Sequence, residues 1–541
     1  MSAVAEMDLS VSKTAVETRP GGPARLLRIV PIALAIFFAL WSLRGVSHNN
    51  ILDTDGSRHA MNGAFLLDLV KHGRVAHPIE YGKEYYGRLP ALSMPYHPPF
   101  FPAMEAAVFA VFGVNVLAVR ILVAIAVGVS VFLFYRLIVQ VTASHLVAVC
   151  ATLTFLLWKH SQDLAGDAML EFPSLVFLLA ALLAIRDLPS SGYPLRKGLW
   201  FALFASAAFW TKQHAVFLVL VPFALIAFTG RWRLLMGKTI WISSALIALA
   251  VYGNTLLSTP FHGTGVEQVP PAVEFFAVAE HNLRFYTAAF VSNVGVVPAL
   301  LVGACILAGA LLGLRKQTIP SGLPMFRAWA CSAMALLLTI GPYEGRYLFY
   351  VHPALAVITY VALVRIGNAL LRGKFAWVAP AGVALLCLVV GLRIPAPFLH
   401  GPSQAAALVV TGKPQRVLYC GSTDGNFIFA VRSLDGNLQT TVIPGEKLPH
   451  GSLTASGLKE FGRIHRIDRV VVERSAWNQA CSELDIKSSS LHLEHSVPLS
   501  SSRPRWHGLL SIYRFSNGPV ESDRTLKIPV PRIGAEIPVP R

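Results

Sequence analysis

The chain has 541 residues, 54% of them hydrophobic and only 14% charged, with 46 Lys+Arg against 29 Asp+Glu. That balance excludes a disordered chain and an ordinary soluble globule, because apolar blocks of roughly twenty residues match the ~30 Å hydrocarbon core of a bilayer. The formal net charge of +17 does not indicate nucleic acid, since basic excess in a polytopic chain marks cytoplasmic loops.

Residues 1–24 are polar and read as a disordered cytoplasmic tail. The first apolar block, 26–43, has no small-residue cleavage site after it and is predicted as an uncleaved span. Further spans are predicted near 116–138, 146–158, 171–186, 198–211, 214–229, 239–258, 294–313, 325–341, 347–366 and 376–393, about eleven in all. Segment 99–113 is short, opens on prolines and carries Glu105 near its middle. A carboxylate at the bilayer centre costs roughly 2.5–3.5 kcal/mol, so this segment is expected to be interfacial or re-entrant.

The charges support that count. With 99–113 not spanning, one set of alternate loops holds Arg186/Arg196/Lys197, Arg231/Arg233/Lys238, Arg315/Lys316/Arg327 and Arg365/Arg372/Lys374. The tail with Arg19, Arg25 and Arg28 falls on the same side, and the opposite short loops hold little beyond Lys159, Lys212 and Arg346. The positive-inside rule then puts the N-terminus in the cytoplasm. Three regions face outward: loop 44–98, a loop near 259–293, and everything after about 394.

The last region changes character. Strand-like runs at Arg416–Cys420 and Arg469–Glu473 flank a helix-compatible stretch at 424–433, which suggests a small α/β domain over 396–541. Its Pro-rich tail, Ile528–Arg541, is expected to be extended. Cys150, Cys305, Cys331 and Cys387 lie in apolar blocks and read as packing residues. Cys420 and Cys481 lie in the outward domain, where an oxidising compartment permits a disulfide.

Loop 44–98 opens with Asp53-Thr-Asp55-Gly56-Ser57-Arg58-His59-Ala60, and from Asp55 onward Met61, Phe65 and Leu69 recur at helical spacing. An amphipathic helix lying on the outer membrane face is expected, with Asp55 at its N-terminal end. The plainer reading makes Asp53 and Asp55 a cap and a solvated carboxylate. A second acidic group, Asp163, Asp167 and Glu171, enters the fourth span from the same side. Two acidic clusters at one membrane surface are a more specific signal than either alone. Lys212 and Arg346 sit in very short outward turns, where snorkelling is the plainer explanation. His59, His97 and nearby carboxylates are candidates for a divalent ion, without the tight spacing of a metal motif, and no other cofactor is indicated.

In order, these features resemble the polytopic GT-C glycosyltransferases, in the branch of the protein O-mannosyltransferases and the lipid A aminoarabinose transferase. The latter carries Asp-Glu-Thr-Arg-Tyr-Ala after its first span, where this chain has Asp55-Gly56-Ser57-Arg58-His59-Ala60. Gly56 stands where the family has its second acid, which leaves Asp53 as an alternative to Asp55; the Arg at +3 favours Asp55. Further likeness lies in His97-Pro-Pro-Phe, Phe112-Gly113, Val119-Arg120, Met169–Pro173, Trp210-Thr211-Lys212, Arg346-Tyr347 and His352-Pro353, over roughly 25–395.

The resemblance implies an α-helical polytopic membrane protein with a catalytic domain at 25–395 and an extracytoplasmic α/β domain at 396–541. It further implies an inner-membrane enzyme that moves a sugar from a polyprenyl-phosphate donor to an acceptor hydroxyl on a protein, lipid or glycan. The leaving group is already a stable phosphate, so the chemistry needs one base at the acceptor hydroxyl and cations at the phosphate. Asp55, with Asp53 as alternative, takes the base role. Lys212, Arg346, Arg58 and Tyr347 take the donor phosphate, and Asp167 and Glu171 the acceptor side. A direct displacement inverts the anomeric centre. A polytopic transporter of a lipid-linked or small polar substrate is the alternative, and it predicts charges in the middle of spans.

Overall fold

The structure is a computed structural model that describes residues 23–46, 51–94, 96–188, 193–258, 274–314, 323–340, 344–370, 375–448, 452–475, 481, 484, 491–515, 525–530 and 535–540. The expected cytoplasmic tail, through residue 22, lies outside them, as do Arg315, Lys316, Arg372 and Lys374.

The described residues from 23 to 392 are mainly helical. They begin with α1 (Pro23–Ser42), α2 (Thr54–Lys71), α3 (Pro78–Arg88), α4 (Phe100–Phe112), α5 (Val116–Thr142), α6 (His145–Leu157) and α7 (Lys159–Ala165). There follow α8 (Glu171–Ile185), α9 (Leu195–Thr211), α10 (Val221–Thr229), α11 (Lys238–Ser258), α12 (Phe275–Val294), α13 (Val296–Leu314), α14 (Leu323–Thr339), α15 (His352–Leu370) and α16 (Val378–Leu392). Among the described residues, two helices, Val116–Thr142 and Lys238–Ser258, are long and apolar enough to cross a membrane unaided, while several others are shorter apolar helices. The bundle core is aromatic: Phe134 meets Trp329 and Phe155 edge-on, with ring centroids 6.3 and 5.7 Å apart.

Local chemistry sets the helix ends. Asn115 caps α5 by accepting from the Ala118 amide at 2.8 Å, and Ser144 caps α6 through the Val147 amide at 3.2 Å. The segment carrying Glu105 is a 13-residue helix with Glu105 fully buried.

Two expectations about the outer side are corrected. The loop near 259–293 is helical from Phe275, and residues 259–273 lie outside the described ones. This α12 packs on the bundle through Asn282, whose amide donates to the carbonyls of Leu337 and Ile340 at 3.0 and 3.1 Å. Those carbonyls end α14 and have no partner within their own helix. The segment carries Glu280, His281 and Arg284, which break its apolar character. Secondly, α2 does not lie on a membrane surface. It packs against α4 and a helix of the C-terminal domain, and its polar Ser57, His59, Asn62 and Asp68 are buried with its apolar face.

After residue 398 the elements are β1 (Leu399–His400), α17 (Pro402–Val409), β2 (Gln415–Cys420), α18 (Asp424–Leu434), β3 (Thr440–Pro444), α19 (Ala455–Ile464), β4 (Arg469–Ser475), β5 (Leu491–Ser501), β6 (Gly508–Phe515), β7 (Lys527–Val530) and β8 (Ala535–Pro538). The main sheet has the order β1-β5-β6-β4-β2-β3, with β2 parallel to β3 and β4 and the remaining pairs antiparallel. The β2-to-β3 crossover through α18 and the β3-to-β4 crossover through α19 run in opposite directions across the sheet, so α18 and α19 cover opposite faces. Strand alternation follows: Val417, Tyr419 and Val471 pack on the α18 side, and Leu418, Cys420, Val470 and Val472 on the α19 side. Cys420 and Cys481 form a disulfide, with Cα atoms 5.7 Å apart. The Pro-rich tail is not simply extended. β7 and β8 pair antiparallel, with Ile528 opposite Ile537, and seat Ile528 and Val539 in the α19-side core.

Candidate active site

The acidic start of α2 is built by its caps. Asp53 is the N-cap, accepting from the Asp55 amide at 3.0 Å. The Asp53 amide in turn donates to Asp167 Oδ2 at 2.7 Å, and Asp167 Oδ1 accepts from the Ala168 amide at 2.7 Å. Asp167 therefore holds the entry of α2 from beneath. A Cβ at Gly56 would fall 2.7 Å from Asp167 Oδ1, so this position is closed to any larger side chain without a shift. The carboxylate absent at position 56 is replaced in space by one arriving from residue 167. Burial, then the neighbouring Asp53, pushes the Asp167 carboxyl up to about 7.

Asp55 faces the other way. Its Oδ2 lies 2.8 Å from Arg346 Nη2, and its Oδ1 3.7 Å from Arg58 Nη1. Burial alone would raise this carboxyl, but Arg346 by charge and hydrogen bond, and Arg58 by charge, hold it below the ordinary range. Arg346 is also paired with Glu344, and its backbone carbonyl lies 3.2 Å from His160 Nε2. A second ion pair, Lys212 with Glu171, is buried one layer deeper. Tyr347 stands between the two cations, its ring 5.8 Å from Lys212 Nζ and 5.7 Å from the Arg346 guanidinium, with the His214 ring tilted 32° to it at 3.8 Å between centroids. All ten residues singled out in the sequence lie in this region. They divide into a half-open layer (Asp53, Asp55, Arg58, His97, Arg346) and a buried one (Asp167, Glu171, Lys212, His59, Tyr347).

His59 and His97 meet edge to face, with centroids 4.7 Å apart. Burial, and then the positive groups around it, hold His59 well below its usual range, so it is neutral. Among the described residues no group of three His, Cys, Asp or Glu converges to hold a metal ion.

Sequence reasoning missed the contribution of the C-terminal domain. Arg503 Nη1 lies 3.4 Å from Asp53 Oδ2, and Asp424 lies 3.5 Å from Arg58. Asn426 donates to the Ile51 carbonyl at 2.6 Å. Deeper still, Arg432 grips the buried Asp68 of α2 with two bonds of 2.7 and 2.6 Å, and Tyr85 adds a third at 3.0 Å. No local signal announces these pairs, because the partners are hundreds of residues apart.

The chain thus joins a bundle of apolar helices with an acidic helix start to a small α/β domain, and comparison with known proteins places this fold. Residues 96–256 match the dolichyl-phosphate-mannose-protein mannosyltransferase family. Among solved structures the chain is similar to ArnT from Cupriavidus metallidurans in the apo state, with 12% identity, TM-score 0.56, and 91% of this chain and 98% of that one covered. The same protein bound to undecaprenyl phosphate matches at 12% identity and TM-score 0.53, covering 92% and 100%. An oligosaccharyltransferase from Archaeoglobus fulgidus is a more distant likeness, at 13% identity and TM-score 0.48 over 82% of this chain and 70% of its own. No curated protein sequence matches the chain. The transporter reading is not favoured.

Proposed function

We propose that the protein transfers a sugar from a polyprenyl-phosphate donor to an acceptor hydroxyl on the extracytoplasmic face, with Asp55 as the base. The observation that carries this is the Asp55–Arg346 pair at 2.8 Å. It puts a carboxylate and a forked cation at one half-open position, with Lys212 and Tyr347 behind them. The ArnT structure with undecaprenyl phosphate supports a lipid-phosphate donor here.

In this reading α1, α5, α6, α8, α9, α10, α11, α13, α14, α15 and α16 are the spans. The basic loops lie in the cytoplasm, and α2–α4, α7, α12 and the domain from 396 onward lie outside. Packing of α18 on α2 is consistent with one side for both.

The reaction follows from the charges. While Arg346 is bound to Asp55, the carboxylate is a weak base. The donor's phosphodiester offers Arg346 a singly charged, bidentate partner that gains a second charge as the sugar leaves, and its arrival releases Asp55 towards the acceptor hydroxyl. Asp55 then takes the hydroxyl proton as the acceptor oxygen bonds to the anomeric carbon. The bond to the phosphate oxygen breaks, and Arg346 and Arg58 stabilise the charge left there. Lys212, neutralised by Glu171, supports Tyr347 and the electrostatic floor of the site. Asp167 positions the turn through the Asp53 and Ala168 amides, and with Glu171 it belongs to the acceptor side of the site. The test is turnover of defined polyprenyl-phosphate sugars by purified protein, comparing wild type with Asp55→Asn. Equal rates reject Asp55 as the base.

A further inference from the structure

A cavity of about 280 Å³ lies where the C-terminal domain meets the outer ends of the helices. Its walls are the face of α18 carrying Asn426, Phe429, Ala430 and Ser433, the face of α17 carrying Ser403, and Ser57 and Val116 from the helical domain. The α18 residues recur at three- and four-residue spacing, so they line one side of that helix.

The lining states what it would accept. Asn426 is more than nine-tenths buried, and its amide nitrogen is committed to the Ile51 carbonyl at 2.6 Å. Its Oδ1 is left without a hydrogen-bond partner, an expensive state unless something donates to it. The hydroxyls of Ser57 and Ser433 already donate to the carbonyls of Thr54 and Ala430, both at 2.8 Å, and so offer lone pairs. The cavity thus presents acceptors and asks for donors. No charged side chain lines it, which disfavours a phosphate or an ammonium group. Phe429 and Val116 give it an apolar wall. Its volume is at the bottom of the ~300–1,000 Å³ range of small-molecule sites, enough for one ring and too small for a lipid chain.

A neutral ring bearing several hydroxyls and an apolar C–H face meets every one of these conditions. We propose that this cavity binds a neutral sugar unit, at a site distinct from the reacting centre. Asp55 and Ser57 are two residues apart on α2, roughly 200° around the helix. One faces Arg346 and the other Gly425 of α18. The proposal rests on the lining alone and is independent of whether Asp55 is a base.

The test is direct binding to the full-length protein in nanodiscs, by saturation-transfer NMR. The probes are methyl α-mannopyranoside, methyl β-glucopyranoside and methyl N-acetyl-β-glucosaminide, with inorganic phosphate as the charged control. At least one glycoside should bind saturably, and phosphate should not displace it. Ala430→Phe, which fills the cavity, should weaken binding about tenfold or more, and Ser433→Val roughly 3–10-fold, the worth of one hydrogen bond. Asp55→Asn should leave the affinity unchanged. The proposal is overturned if no glycoside binds wild type, if Ser433→Val binds as wild type does, or if Asp55→Asn abolishes binding. Displacement by phosphate would also overturn it. Should Ala430→Phe not fold, Ser433→Val decides.

Discussion

Asp55 and Asp53 stand two residues apart yet do different work. Asp53 spends its oxygens on the Asp55 amide and Arg503, while Asp55 faces the open side with Arg346. Asp55→Asn should therefore lower turnover roughly 10²–10⁴-fold, the usual contribution of a positioned base, while donor binding holds or tightens because Arg346 no longer has to leave a carboxylate. Arg346→Ala should weaken donor binding as well as turnover, because its contact exists before and during the reaction. Steady-state kinetics on the two variants separates these outcomes. Asp53→Asn keeps an acceptor oxygen for the cap and should cost far less; a loss as deep as that of Asp55→Asn would reverse the assignment.

Asp167 gives a pH prediction. Its carboxyl is raised in the folded state to about 7, above the ~3.9 of an unfolded chain. The folded protein thus holds a proton that the unfolded chain has released. This group's stabilising contribution is present at low pH and declines as pH rises from about 4 to about 7. Asp167→Asn mimics the protonated acid, so its stability relative to wild type should increase across that window, as thermal midpoints at several pH values would show.

At the scale of elements, α2 is the piece most constrained by its neighbours. A Cβ at Gly63 would come 2.4 Å from the Cβ of Glu105 on α4. Gly63→Ala should cost about 1–3 kcal/mol as overpacking, or force α2 off α4. On the opposite flank, Arg432→Met strands the buried Asp68 carboxylate and should destabilise by about 3–5 kcal/mol. Adding Asp68→Leu should recover much of that loss, because the orphan charge goes with it. Detergent-solubilised unfolding of the single and double variants measures the difference.

The sequence made the bundle helices, the β2–α18 pair and the short Glu105 helix legible, since each is written in local periodicity or in the cost of one charge. It misplaced α2, whose polar residues looked solvent-facing because their partners Arg432, Ser93 and Asp424 lie far along the chain. It placed Asp55, Arg58, Lys212 and Arg346 near one another only through a resemblance and a charge count. Nothing local in Arg503 or Arg432 points to residue 53 or 68.

For the whole molecule, orientation and redox state are linked. If the C-terminal domain lies outside, a cysteine introduced at exposed Gly412 should react with an impermeant maleimide on intact cells, and Cys420 and Cys481 should resist alkylation until reduced. Labelling of Gly412→Cys only after permeabilisation would reverse the topology.

The long-range clasp between the first outer loop and the last domain also has a consequence in time. Asp68 and Arg432 are 364 residues apart, and Asp53 and Arg503 are 450 apart. At ~5–20 residues per second of synthesis, the acidic turn is made roughly 20–90 s before the residues that hold it. A nascent chain already threaded through the membrane would carry its carboxylates without their clasp, idle beside a pool of activated sugar. The newborn enzyme would start working only once the ribosome had nearly finished with it.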